Sequence, residues 1–136
     1  PKAIGKDLNG SIGVIPSEGG GLGPLKFKQM LKENNLKHSP YTNQTYDSAA
    51  LIMLAMQAAN STNSNDFKSK VMDVANAPGE KIFPGELAKG LKLLSEGKEI
   101  DYVGASAVEL IGGGESAGNF AEILIDNQKV TTVGYK

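Results

Sequence analysis

The 136 residues include no cysteine and a single histidine. The first absence removes disulfides, thiolate nucleophiles and cysteine-ligated zinc, and the second removes a histidine-rich metal site within the chain. Long hydrophobic runs are also missing. The longest, Ala49 to Ala59, is interrupted by Gln57 and falls short of the roughly 20 apolar residues that a membrane span needs. Charge of one sign is scarce too: 14 Lys and Arg stand against 15 Asp and Glu, for a net charge of -1. Without a basic run, nucleic acid is not an expected partner. No charged segment followed by an apolar one opens the chain, although Pro1 is not a translation start, which leaves room for a signal peptide removed upstream.

What is present suits one ordinary globular domain, since a 40% hydrophobic content can bury a modest core. Gly10 to Pro16 (GSIGVIP) is β-branched and bounded by Gly and Pro, the pattern of a buried strand. A glycine-rich loop follows at Ser17 to Gly23, and Pro24 suits the first turn of a helix carrying Phe27, Met30 and Leu31 on one face. The polar stretch from Asn34 to Thr45 predicts a connection or crossing segment. From Tyr46 the chain reads YDSAALIMLAMQAAN, a helix with no polar face, which predicts burial on most of its circumference. Thr45 is the expected cap, with Asp47 favourable near the positive end of the helix dipole.

A second, amphipathic helix is expected after Ser61 to Asn65, with Phe67, Val71, Val74 and Ala75 on its apolar side. A third should start at Pro84, carry Leu87, Leu91 and Leu94, and stop at Gly97. Gly90 interrupts that helix, either as a close backbone contact or as a tolerated weak point. The last third turns to β structure: a strand over Ala107 to Ile111, a glycine-rich turn over Gly112 to Asn119, and a hairpin made of Phe120 to Ile125 and Lys129 to Tyr135. The fold class is α/β or α+β.

Several patterns resemble chemistry and lack its context. Ser17 to Pro24 lies between strand and helix but has neither the dinucleotide spacing nor a Gly-Lys-Ser/Thr ending. Gly112 to Ala117 spells G-x-G-x-x-A yet precedes a hairpin, so no helix dipole faces it. Ser95 to Lys98 spells S-x-x-K on the last turn of a helix, where a solvated C-cap is the simpler reading. His38 has no second histidine, and Glu86, Glu96, Glu99 and Asp101 sit on helix faces and ends where solvation accounts for them. No catalytic residue, metal site or cofactor is expected.

Taken together, GSIGVIPSEG, PYTNQTYDSAALIMLAMQAAN, the Phe-Pro-Gly-Glu helix start, DYVGASAVELIGGGESAGNFAEILI and the terminal K-V-T-T-V resemble the C-terminal part of the leucine/isoleucine/valine-type periplasmic solute-binding proteins of ABC transporters. Tyr41 through Ala50 carries most of the resemblance. The Gly-Glu-Ser-Ala-Gly stretch departs from the D-x-x-G turn of that family, which leaves residues 112 to 118 without an inherited role.

The resemblance implies part of a two-lobed, doubly wound type I binding-protein fold, truncated or incomplete, ending in a β-hairpin. Residues 1–40 would belong to the second lobe, 41–105 to the first, and 106–136 to the return segment. It implies capture of an amino acid or similar small polar solute in an inter-lobe cleft, without cofactor, for a membrane permease in the periplasm. The missing remainder of the same protein would be a further partner. Tyr46 is the foremost candidate for a ligand contact, since a tyrosine at the head of a buried helix offers ring and hydroxyl. Ser17 and Glu18, just past a strand end, are further candidates. Alternatives are a sensing receptor domain of the same fold, or an α/β enzyme acting on a phosphorylated small molecule.

Overall fold

The computed structural model describes residues 3–17, 21–76, 78–113 and 115–135. A tight turn at Gly5–Leu8 leads into β1 (Ile12–Pro16), then α1 (Leu22–Glu33) and α2 (Thr42–Ala59). Two short helices follow, α3 (Ser64–Phe67) and α4 (Lys70–Ala75), then a strand-helix-strand unit of β2 (Glu80–Ile82), α5 (Leu87–Ser95) and β3 (Ile100–Tyr102). The chain ends with β4 (Glu109–Gly112), β5 (Glu115–Ala117), β6 (Phe120–Asp126) and β7 (Lys129–Tyr135). The class is α/β with mixed pairing: β2 and β3 run parallel, whereas β1-β6-β7 and β4-β5 are antiparallel.

The main core forms where α2 and α4 pack on the parallel pair. Leu51, Leu54 and Ala55 meet Val74 and Ala75 on one side and Ile82, Ile100 and Tyr102 on the other. Leu87, Leu91 and Leu94 of α5 close the unit from outside. Gly90 faces inward, and a Cβ there would lie 2.9 Å from Leu54 Cδ2 and 3.4 Å from Ile82 Cγ2. Close packing, not tolerance, accounts for this glycine. A second cluster joins Phe27 and Leu31 of α1 to Ala105, with Tyr46 packed against it. The Phe27 and Tyr46 rings lie 4.8 Å apart at 43°, so α1 packs on the same body as α2.

The helices end as their sequences dictate. Asn35, Asn60 and Gly97 all adopt positive φ just past α1, α2 and α5. In each case the next amide (Leu36, Ser61, Lys98) reaches back to Leu31, Met56 and Leu93 carbonyls at 2.9 to 3.1 Å, the bond pattern that closes a Schellman motif. The terminal hairpin forms as expected, with a two-residue turn at Asn127 and Gln128, both at positive φ, as a type I′ turn requires.

Several expectations need correction. The β1 strand forms where expected but is not buried, because nothing among the described residues packs over Ile12 and Val14. Asp101 lies on β3 and is buried at 8% exposure, not on a solvated helix face or end, because its segment pairs in parallel with β2. Helix α2 starts at Thr42, so Thr45 lies inside it and does not cap it; the Thr42 hydroxyl instead accepts from the Ser39 amide at 3.0 Å and donates to the Ser39 carbonyl at 2.8 Å. The second helix is broken at Lys68 and Ser69 into α3 and α4, and the third starts at Leu87, after the turn at Pro84 and Gly85. Gly112 to Asn119 contributes to the β4-β5 hairpin and is not a plain turn. Finally, α2 is buried on one face only. Ala49 is exposed beside Ile52 and Met53, which are 43% and 42% exposed.

Each face of the β1-β6-β7 sheet carries exposed apolar residues. Ile12 and Val14 project from one face at 68% and 63% exposure, Val130 and Tyr135 from the other at 51% and 76%. Among its described residues only Ala121 is buried.

Two outcomes test this packing. Gly90→Ala gains about 1 kcal/mol of helix propensity but forces Leu54 and Ile82 apart, at about 1 to 3 kcal/mol; urea denaturation should show a net loss of stability, and a gain would refute the close contact. Glu86 accepts from Lys26 at 2.7 Å and from the Phe83 amide at 3.1 Å, and chiefly the Lys26 bond holds its pKa below the ordinary 4.5. Its ionised form therefore stabilises the fold above that value, and the contribution is lost as pH falls through the lower folded value. Melting curves at low salt should show wild type losing more stability than Glu86→Gln between about pH 5 and pH 3; parallel losses would count against it.

Candidate functional site

The site is built from the first two turns of α2 and the loop after β3. Asn43 and Asp47 lie one turn apart on the same face of α2, and both are only 2% exposed. The Asp47 carboxylate accepts from the Tyr102 hydroxyl at 2.8 Å, the Ala105 amide at 2.6 Å, the Ser106 amide at 2.7 Å and the Ser106 hydroxyl at 2.5 Å. Four donors replace the water that a buried carboxylate gives up. Burial first, and then the neighbouring Asp47 charge, push the Tyr102 phenol well above its ordinary value of 10.0, so it remains a donor. Asp47 is thus an anchor for a distant loop and not a helix-start residue.

Asn43 extends the same lashing. Its amide nitrogen donates to the Ala105 carbonyl at 2.8 Å, and its oxygen meets His38 Nε2 at 2.9 Å. Because the nitrogen is committed to a carbonyl, the oxygen is the acceptor and His38 the donor. The crossing segment between α1 and α2 is thereby tied to the loop after β3.

Glycine lets the parts approach. A Cβ on Gly104 would fall 2.7 Å from Asp47 Oδ1, and one on Gly23 would fall 2.0 Å from the Gly104 carbonyl oxygen. The close approach made by Gly23 at the start of α1 is therefore to the chain's own backbone. That is a structural reason for a glycine where a phosphate cradle was considered.

Beside this anchor lies a cavity of about 290 Å³, between the C-terminal end of β1 and the start of α2. Ile15, Pro16, Pro40 and Tyr41 give it apolar walls, with His38 and Gln44 among its polar neighbours. A strand end facing a crossing segment is where open α/β sheets take ligands. Tyr41 has φ 67° and ψ 5°, a left-handed backbone that costs a residue other than glycine about 1 to 2 kcal/mol. Its side chain is nonetheless 60% exposed. The left-handed Tyr41 thus stands at the edge of the cavity.

Neither Tyr46 nor Ser17 lines this cavity. Tyr46 packs its ring on Phe27 and accepts from the Gly85 amide at 3.0 Å, so both ring and hydroxyl already serve the fold, and it does not line the cavity. Ser17 is half-buried and its amide donates to the Asn119 carbonyl at 2.8 Å, continuing the β1-β6 pairing. Glu18 lies outside the described residues. Ser95 and Lys98 do not meet: the serine hydroxyl donates to the Lys92 carbonyl and the lysine pairs with Glu96, each at 2.7 Å. Sequence reasoning passed over Tyr41; the signal available was its place directly after Pro40, at the entrance to the longest helix.

Neither a family model nor a solved structure matches the chain. Among curated proteins it is similar to the chemotactic signal transduction system substrate-binding protein BasB of Halobacterium salinarum, at 24% identity over 98 residues. Those residues are 72% of this chain and 24% of that protein, so the chain spans about a quarter of the length of the curated relative it matches. The likeness agrees with the resemblance read from the sequence at the coarse level of a substrate-binding protein.

Asp47→Asn tests the anchor. An amide cannot accept from all four donors and turns a donor of its own toward them, a loss of about 3 kcal/mol. Urea unfolding should register it as a lower midpoint with unchanged slope; a change under about 0.5 kcal/mol, the scale of an ordinary surface substitution, would show that the loop does not depend on Asp47.

Proposed function

We propose that this chain is part of a solute-binding protein that captures an amino acid or similar small polar solute and hands it to an ABC permease outside the cytoplasm, without performing chemistry on it. The observation that carries the reading is the cavity at the end of β1, walled by the crossing segment and the first turn of α2. Small solutes are held in such clefts by apolar walls and a few polar groups, with the cleft closing over them. On this reading the two bare faces of the β1-β6-β7 sheet and the exposed Ala49, Ile52 and Met53 ridge of α2 belong against further layers of a two-lobed, doubly wound protein.

A second reading is favoured by the relative's name. That protein is named as a substrate-binding protein of a chemotactic signal transduction system, and on this reading the chain would serve sensing instead of, or alongside, import. Both readings place the same solute in the same cavity and differ in the protein that receives the closed form.

Thermal denaturation of the complete polypeptide that contains this chain, against a panel of amino acids and nucleotides, tests the shared claim. A bound solute raises the melting temperature by mass action, with about 2.7 kcal/mol of added stability at a hundred times its dissociation constant. A shift with amino acids is the expected result. A shift with nucleotides and with no amino acid would replace this reading by that of an α/β enzyme or sensor for phosphorylated ligands.

A further inference from the structure

The walls of the cavity say more about its occupant than the general reading requires. Its polar side chains are largely committed to one another: Asn43 holds both His38 and the Ala105 carbonyl, and the Ser39 and Thr42 hydroxyls lie 2.9 Å apart. Besides polar groups of this set and Gln44, the cavity of about 290 Å³ is lined by Ile15 and three ring-bearing residues, Pro16, Pro40 and Tyr41. Of these, Tyr41 is the one kept in a left-handed backbone, at φ 67°. Among the described residues its side chain makes no hydrogen bond or ring contact that would offset that strain. The Tyr41 ring favours an aromatic partner, because stacked aromatic pairs gain stability beyond that of the area they bury.

We infer that Tyr41 is the specificity-determining residue of this cavity and that the solute's side chain is aromatic, stacking on the Tyr41 ring between the two prolines. The inference rests on the solute-binding reading and narrows it. The strained backbone aims the ring into the cavity, and the hydroxyl is incidental to recognition. Glycine at this position would relax the backbone and abolish the stacking surface together, so binding and stability respond in opposite directions.

Titration calorimetry on the complete polypeptide, with L-phenylalanine, L-leucine and L-glutamate as probes, provides the test for wild type, Tyr41→Gly and Tyr41→Phe. L-phenylalanine should bind wild type most tightly, with L-leucine and L-glutamate about tenfold or more weaker. Tyr41→Gly should weaken L-phenylalanine by about tenfold while leaving the ligand-free melting temperature unchanged or higher. Tyr41→Phe should keep wild-type affinity. Tighter binding of L-leucine or L-glutamate would overturn the aromatic class while leaving solute binding intact. Unchanged affinity in Tyr41→Gly, or a lowered ligand-free melting temperature, would assign Tyr41 to the fold and overturn its role in specificity. Binding of none of the three, with a melting shift from another amino acid, overturns the inference alone; no shift from any amino acid removes the underlying reading as well.

Discussion

A carboxylate carried on the inner face of a helix must be solvated by its own protein, and the arrangement of this chain follows from how Asp47 achieves it. Its four donors come from one short stretch, Tyr102 through Ser106, so the end of β3 and the loop beyond it are fixed relative to α2. The Tyr102 ring stays in the core at 1% exposure while its hydroxyl serves the carboxylate. Gly104 turns at φ 68° so that the carboxylate has room, and Gly23 lies flat on the Gly104 carbonyl, which brings α1 into the same assembly. One buried charge thus sets the mutual positions of α1, α2 and the strand-helix-strand unit. Removing it would leave two amides and two hydroxyls without their acceptor, which is why a buried charge of this kind behaves as an organising contact more than as a source of net stability.

The same anchor explains why a strained residue can persist at the edge of the cavity. Asn43 and Asp47 pin the first two turns of α2, and the Ser39-Thr42 hydroxyl pair fixes the chain just before them. With the segment held on both sides, Tyr41 cannot relax toward an ordinary backbone without disturbing the Ser39-Thr42 bonds and the buried Asn43-Ala105 bond. Local strain is sustained by neighbours that over-determine the conformation.

How much of this was legible in the sequence depended on the range of the interactions involved. The β1 run, the terminal hairpin and the long apolar helix are announced by residues close together, and they formed close to the expected positions. The strands β2 and β3 were not, because Glu80–Ile82 and Ile100–Tyr102 are three residues long and exist as strands only through parallel pairing across α5. The same limit applies to the site. Asp47 looked like a dipole-complementing residue because its partners are 55 to 59 positions away. Tyr46 was expected at the head of a buried helix with ring and hydroxyl available to a ligand, yet the helix begins four residues earlier, and Phe27 and Gly85 claim its ring and hydroxyl. Moving the helix start by one turn put Tyr41 at the helix head in place of Tyr46.

The contrast between the two halves of the cavity carries the final step. On the α2 side every buried side-chain polar atom among the described residues has a partner, and the walls are set by the Asp47 and Asn43 lashings. On the β1 side, Ile15 and Pro16 belong to a sheet whose apolar residues stay largely exposed on both faces. A solute entering there gains its defined geometry from the helix side, whereas the sheet side has little packing of its own to lose by adjusting. Burial of further apolar surface from β1 against a bound solute is favourable by about 25 cal/mol per Å², and that gain falls on the less constrained wall. On the proposed solute-binding reading, the more rigid wall on the α2 side is the one that would decide differences in affinity between solutes, and Tyr41 lies on it.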